Sequence, residues 1–181
     1  MTINPQTGTV TLPNGQRVGP ELTREEFRSG PLNKDARTTD CGTMLFQHCR
    51  FEAGLVEDHP LLANACFFEE TLLYLDMTVS LYPPGATDWS SYSLDTEAAI
   101  KSLHDRLLTE QLGEPSGILR VPVAYSTPAQ ASLAHALRWD FDWGQVWSSH
   151  DPKGGGTSMC VRYGNRLEEA HKAYRLRTNS Q

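Results

Sequence analysis

The sequence predicts an α+β fold in which a mainly antiparallel sheet is covered by one principal helix, with a C-terminal β-hairpin and a terminal helix. Two observations lead to this prediction. Apolar residues alternate along several short runs, which is typical of half-buried strands. One long segment, 96–112, instead spaces its apolar residues at three- and four-residue steps. At 181 residues with 39% hydrophobic content, the chain can form one core, and we expect a single domain over 1–181.

The N-terminal part predicts a hairpin followed by a short helix. Segment 9–15 is a brief strand that enters an Asn-Gly turn, a strong hairpin signal. Thr23 and Glu26 fit a capping box, in which each side chain satisfies a backbone N–H at the start of a helix. A Ser-Gly-Pro sequence ends that helix, and the polar stretch 31–42 predicts a loop.

The middle of the chain predicts three antiparallel strands. Segment 43–52 is β-prone and is expected to end at Gly54, and the apolar runs 61–69 and 72–81 follow with a tight connection. The last run alternates, with Leu73, Leu75, Met77, Val79 and Leu81 on one side and Leu72, Tyr74, Asp76, Thr78 and Ser80 on the other. A helix across 61–75 is the alternative, but its β-branched and aromatic residues favour strands.

The principal helix, 96–112, is expected to begin after Ser93 or Asp95 and to end at Gly113. Its apolar stripe is wide enough to lie on a sheet, and His104 is interpreted as a surface residue. After it, segment 118–125 predicts an edge strand because a proline interrupts it at position 122, and 129–137 is weakly helical.

Three of the four tryptophans lie in segment 139–163. If 139–143 is one strand, alternation places Trp139, Phe141 and Trp143 on one face and Asp140 and Asp142 on the other. The polar segment 150–157, with one proline and three glycines, predicts the wide tip of a β-hairpin. Segment 166–177 then predicts a basic terminal helix.

The charge pattern predicts a protein partner rather than a nucleic acid. The formal net charge is -6, which disfavours binding to a polyanion. Residues 51–110 contain eleven acidic residues against two basic ones. The expected partner-binding residues are the acidic residues of this region and of the hairpin, with one tryptophan as an aromatic anchor: Glu57, Asp58, Glu69, Glu70, Asp140, Asp142 and Trp143. The alternative is that this acidity only keeps the protein in solution.

Nothing in the sequence predicts a cofactor, a metal site or a membrane segment. Cys41, Cys49, Cys66 and Cys160 are too widely spaced for a zinc site and are expected to be buried thiols. The first residues lack the basic and apolar regions of a signal peptide, and no run is long enough to cross a membrane. A cytoplasmic protein is expected.

Two other function classes remain open. A small hydrolase or metal-dependent enzyme could use Asp140 and Asp142 as a carboxylate pair, or Cys49 as a nucleophile with His48 or His59 as its base. An adaptor or chaperone-like domain is the other alternative. No catalytic residue is expected, because a solvated strand face explains the aspartates and a core position explains the cysteine.

Several short segments together resemble a known group of proteins. They are LPNG at 12–15, a helix ending in Leu112-Gly113, WGQV at 143–146, SSHDPK at 148–153 and VRY at 161–163. In this order they resemble bacterial immunity proteins of type VI secretion or polymorphic toxin systems. The resemblance implies a non-enzymatic protein that binds one cognate toxin and occludes its active site, a nuclease being one such toxin. A nuclease inhibitor often presents carboxylates to a basic cleft, which agrees with the acidity of residues 51–110.

Overall fold

The computed structural model describes residues 1–34, 36–40, 45–83, 91–120 and 127–178. Its strands are β1 (Thr2–Ile3), β2 (Val10–Thr11), β3 (Arg17–Val18), β4 (Arg37–Asp40), β5 (Phe46–Val56), β6 (His59–Phe68), β7 (Thr71–Val79), β8 (Gly117–Arg120), β9 (His135–Phe141), β10 (Gly144–His150) and β11 (Thr157–Tyr163). Its α-helices are α1 (Arg24–Ser29), α2 (Leu94–Leu112) and α3 (Arg166–Thr178). Short 3-10 helices span Pro31–Asn33 and Pro128–Ala134. The predictions for Cys41, 43–44, 84–90 and 121–125 lie outside the described residues.

The strands form two antiparallel sheets, which confirms the predicted α+β class. The large sheet has eight strands in the order β4-β5-β6-β7-β11-β10-β9-β8, and the small sheet has the order β1-β2-β3. The predicted three-strand meander is β5-β6-β7, so the alternative of a helix across 61–75 is wrong. The predicted polar hairpin is formed by β10 and β11. β8 lies at an edge of the sheet, as expected for that segment.

Chain direction gives the large sheet two distinct ends. We call end A the one that carries the β6–β7 turn, Glu69-Glu70, and the β9–β10 turn, Asp142-Trp143. We call end B the opposite one, which carries the β5–β6 turn, Glu57-Asp58, and the β10–β11 loop, 151–156. Each of these connections joins neighbouring antiparallel strands, and β6 runs the whole way between the two ends.

One face of the large sheet, the core face, is covered by α2, α1 and the small sheet. The predicted capping box starts α1, whose Phe27 packs against Phe51 and Phe67 with ring centroids 5.6 Å from each. The principal helix α2 contacts β7, β10 and β11, as predicted. Ser93 caps it, because the Ser93 side chain accepts a hydrogen bond from the Thr96 backbone N–H.

The opposite face, the open face, is covered near end A by the terminal helix α3. There Ala170 packs against Cys66, Phe68 and Leu73, and Tyr174 packs edge-on against Phe46. The predicted basic helix is therefore confirmed, and it also has an apolar side that packs on the sheet. Within the described ranges, no helix combines the length and the apolar character needed to span a membrane.

Two predictions for the middle strands are corrected by β-bulges. β5 does not end at Gly54 but continues to Val56, with a bulge between Glu52 and Leu55. Gly54 has a φ of 103°, and a Cβ there would lie 3.0 Å from the Asn14 backbone nitrogen, so a glycine suits this bulge. A second bulge places Leu72 in the core and Leu73 under α3, the reverse of their predicted faces.

The other corrections concern the connections between elements. Part of the predicted loop 31–42 forms β4, which pairs with β5 at the sheet edge. Segment 129–137 is a 3-10 helix that gives way to β9 at His135. The predicted strand 139–143 ends at Phe141, because the chain turns at Asp142-Trp143. Gly144 then approaches β11 so closely that a Cβ would lie 2.0 Å from the Arg162 carbonyl oxygen.

Candidate functional site

The seven residues predicted to bind a partner lie at both ends of the large sheet. Glu57 and Asp58 form the tight turn at end B, with positive φ angles of 48° and 64°. Glu69 and Glu70 form the corresponding turn at end A. The ten residues of β6 separate the two turns, a distance of about 33 Å at about 3.3 Å per residue. The structure therefore does not join these four carboxylates in one patch.

Three of these four carboxylates form ion pairs with arginines on the helices. Glu57 lies 2.6 Å from Arg106 of α2, and Glu70 lies 2.6 Å from Arg24 of α1. Glu69 pairs with Arg177 of α3. The hydrogen bond from Arg24 lowers the pKa of the Glu70 carboxyl. The acidic excess of residues 51–110 is thus partly compensated by basic residues from distant segments, which a count along the sequence does not show.

The remaining three predicted residues lie at the β9–β10 turn. Asp140 is exposed and accepts hydrogen bonds from Arg138 and Gln145, at 3.0 and 2.9 Å. Asp142 is also exposed but belongs to the turn, so the strand spacing assumed for an aspartate pair does not apply. Trp143 is half-buried, stacks on Phe141 at 5.1 Å and donates a hydrogen bond to the Pro5 carbonyl oxygen.

Cys49 does not have the surroundings of a nucleophile activated by either predicted base. Its side chain is fully buried on the core face, where Thr38 Oγ1 lies 3.8 Å from Sγ. The neighbouring His48 points to the opposite face and lies 3.8 Å from Cys66 Sγ. His59 starts β6 at end B, whereas Cys49 pairs with Ala65 farther along that strand. Among the described residues, no group of three His, Cys, Asp or Glu side chains is placed to hold a metal ion.

A buried polar cluster lies between α2 and the core face. Lys101 and His104 are 0% exposed, and Glu97 and His150 are 4% exposed, so the surface interpretation of His104 is wrong. His104 Nε2 accepts the Val79 backbone N–H, and burial lowers the pKa of this histidine to about 3. These groups have acid–base chemistry but are enclosed, and they fix α2 to the sheet. The spacing of Glu97, Lys101, His104 and Leu108 follows one helix face and could have revealed the cluster.

The most distinctive surface is a row of residues across the open face, most of which are exposed or half-exposed. Strand registers align one residue from each strand of the large sheet: Arg37, Arg50, Asn64, Asp76, Cys160, Trp147, Arg138 and Gly117. Seven strand spacings of about 4.8 Å make this row roughly 34 Å long. We call it the cross-sheet row. Because its residues come from eight separate segments, the sequence could not show that they are neighbours.

The half of the row that belongs to strands β4 to β7 borders a groove of about 670 Å³. Its walls include Arg37, Arg50, Asn64, Asp76 and the exposed Leu62. Burial raises the pKa of the Asp76 carboxyl, while Ser158 and Arg162 partly oppose that change. Burial, reinforced by the neighbouring Asp76, raises the pKa of the Cys160 thiol to about 12, so this thiol stays protonated. The groove therefore offers cationic, carboxyl, amide and apolar contacts.

The other half of the row centres on Trp147. Arg138 and Arg162 both place their guanidinium carbons near its ring, 5.7 and 5.6 Å from the centroid. The indole N–H donates a hydrogen bond to Gln145 Oε1 at 3.1 Å, and Gln145 in turn donates to Asp140. Cation–π contacts and this hydrogen-bond chain hold the tryptophan in one orientation while leaving it partly exposed. Arginine and tryptophan are residue types that concentrate binding energy in protein interfaces.

Comparison with known proteins gives a fold likeness. The sequence matches no protein-family model and no curated protein. Among solved structures, the chain is similar to a chain of a complex described as "Rhs1-CT in complex with cognate immunity protein RhsI1". The similarity covers 99% of this chain and 98% of that chain, with a TM-score of 0.50 and 13% sequence identity. At this identity the similarity establishes a shared fold over nearly the whole length of both chains.

Proposed function

We propose that this protein is an immunity protein that binds a cognate bacterial toxin and neutralises it without catalysis. The observation that supports this most strongly is the end-to-end fold likeness to a chain of a toxin–immunity complex. The short sequence segments that resemble immunity proteins point in the same direction. In this proposal the toxin belongs to a type VI secretion or polymorphic toxin system.

The positions of the reactive side chains favour the role of the inhibitor over the role of the toxin. The buried cluster of Glu97, Lys101, His104 and His150 is enclosed under α2, away from any substrate. The accessible open face instead carries arginines and a tryptophan, which suit recognition. A cytoplasmic location agrees with Cys49, Cys66 and Cys160 being buried thiols rather than disulfides.

A finer part of the proposal concerns the kind of toxin. A nuclease presents a basic surface to nucleic acid, and a chain with a net charge of -6 is attracted to such a surface. The seven predicted contact residues, Glu57, Asp58, Glu69, Glu70, Asp140, Asp142 and Trp143, lie at or beside turns at the two ends of the large sheet. There they would contact the periphery of the toxin and accelerate its approach.

Expression in bacteria tests the proposed function. The chain is expressed alone, and then together with the toxin-like reading frame expected beside its gene. We expect normal growth with the chain alone and rescue of growth in the co-expression. Growth arrest by the chain alone would assign it the toxin's role, and toxicity that persists despite its expression would refute the immunity function.

Titration of purified toxin separates binding from catalysis. A binding inhibitor abolishes toxin activity at one molecule per toxin. An enzyme that modifies the toxin or its product would protect at a small fraction of that amount, and such a result would contradict neutralisation by binding.

A further inference from the structure

We propose that the open face of the large sheet forms the centre of the toxin interface and receives an acidic surface of the toxin. This inference rests on the proposed function and adds the location of the central contact. The acidic toxin surface is separate from the basic one, which the turn residues would contact at the periphery. It concerns the cross-sheet row and its neighbours. Of these residues, only Asp140 is among the seven contact residues that the sequence predicts.

The first argument is local charge. Four arginines, Arg37, Arg50, Arg138 and Arg162, lie on the open face with three carboxylates, Glu52, Asp76 and Asp140. This face is therefore slightly basic in a chain whose net charge is -6. An acidic partner surface would complement this face.

The second argument concerns the ion pairs that arginines form within the protein. Elsewhere, Arg24, Arg106 and Arg177 are paired with carboxylates of the sheet turns. Within the described part of the chain, no ion pair joins Arg37 or Arg50 to a carboxylate. They face each other across β4 and β5 in direct register, where two like charges are unfavourable unless a counter-charge is supplied. A carboxylate of the partner supplies it.

The third argument is preorganisation. Trp147 is already held between Arg138 and Arg162, and β10 lies in the interior of the sheet, so binding orders few side chains. The exposed Leu62, at 47%, adds apolar contact beside the groove. The row is roughly 34 Å long, which matches the width of a standard interface that buries about 800 Å² per partner.

The pattern of charges favours a protein over the other partners that a basic, aromatic surface can bind. A nucleic-acid backbone repeats one charge. On this face Asp76 lies between the arginines of the cross-sheet row, and Glu52 and Asp140 lie beside the row, so these carboxylates would repel such a backbone. A second copy of this chain also carries a net charge of -6, and two chains of the same net charge repel each other. Both partners are distinguished from a toxin in the experiment below.

The experiment measures the dissociation constant of the full chain and the toxin domain encoded beside its gene, in an inactivated form. The test variants are Arg50→Glu and Trp147→Ala. Arg17→Glu is the matched control, because Arg17 is an exposed arginine of the small sheet, which covers the core face and not the open face. We expect each test variant to weaken binding about 30-fold or more, and the control to change it less than about threefold. Circular dichroism and melting temperature confirm that each variant is folded.

The outcomes separate this inference from the proposed function. If the wild-type chain does not bind the toxin, the proposed function fails. If the wild type binds and folded Arg50→Glu and Trp147→Ala bind equally well, only the open-face inference is overturned. It is also overturned if sedimentation shows a dimer that Arg50→Glu dissociates, or if a single-stranded oligonucleotide binds the wild type and competes with the toxin.

Discussion

Trp139 and Trp147 lie on neighbouring strands of the large sheet and project from opposite faces. Trp139 is 2% exposed, packs in the core and donates its indole hydrogen bond to the Gly113 carbonyl oxygen that follows α2. Trp147 is half-exposed, lies between two arginines and donates to a side chain of its own strand. Strand alternation alone separates the two positions. The core face thus uses its tryptophan to hold the fold together, whereas the open face keeps one available for a partner.

The same contrast holds for charged groups on the two faces. On the core face, Lys101 is enclosed and bonded to Asp105 at 2.6 Å, and His104 is held neutral by burial. On the open face, Arg50 is exposed and Asp76 borders a groove. Ionisable residues on the first face are enclosed within the fold, and those on the second face are available for recognition. Mutations on the two faces should therefore affect different measurements.

The largest expected effect is on stability. Trp139→Ala should lower the free energy of unfolding by about 4 kcal/mol, because it leaves a large cavity in the core. Trp147→Ala should lower it by about 1 kcal/mol, the scale of its exposed cation–π contacts. Urea denaturation of both variants measures the difference. Equal losses would show that the two faces are not distinguished in this way.

The next effect is a dependence of stability on pH that originates on the core face. The folded-state pKa of His104 is about 3, below its usual value of 6.5, so the unfolded chain binds a proton more readily than the folded chain. Stability should therefore be fully present above about pH 6.5 and decrease as the pH falls, by about 2 kcal/mol at about pH 5. His104→Asn should flatten this profile. A residual slope is expected, since burial also lowers the pKa values of His48 and His150.

The smallest effect concerns the turns at end A. Charge reversal of Glu69 and Glu70 should slow association with the toxin a few-fold at low salt and leave dissociation nearly unchanged, because peripheral charges act mainly on approach. Stopped-flow kinetics measure both rates. At high salt the wild-type and variant association rates should converge. A change confined to dissociation would instead place these residues in the centre of the interface.

The fold could be predicted where the residues that determine an element lie close together in the sequence. The capping box of α1, the glycine-ended helix α2 and the polar loop between β10 and β11 each lie within a few residues of sequence. The bulges at Gly54 and Leu73 could not be predicted, because they depend on what the neighbouring strand and the Pro13–Asn14 backbone require. The turn at Asp142-Trp143 was hidden because it continues the aromatic–acidic alternation of β9.

The candidate site was less predictable than the fold, for a related reason. Acidic residues were easy to find along the sequence, but their arginine partners come from helices 46 to 108 residues away. Arg37, Arg50, Arg138 and Arg162 each look like an isolated polar residue in a strand. Only the register of eight strands brings them into one surface. A sequence-based estimate of surface charge therefore gave the sign of the whole chain but not that of its open face.

Nuclear magnetic resonance of the tryptophan indole N–H groups compares the two faces within a single spectrum. With the signals assigned from Trp139→Phe and Trp147→Phe variants, one equivalent of inactivated toxin is added to the labelled protein. We expect the Trp147 indole signal to shift strongly while the Trp139 signal stays in place, because only the former lies on the open face. A toxin that binds but leaves the Trp147 signal unmoved would contradict recognition through this face.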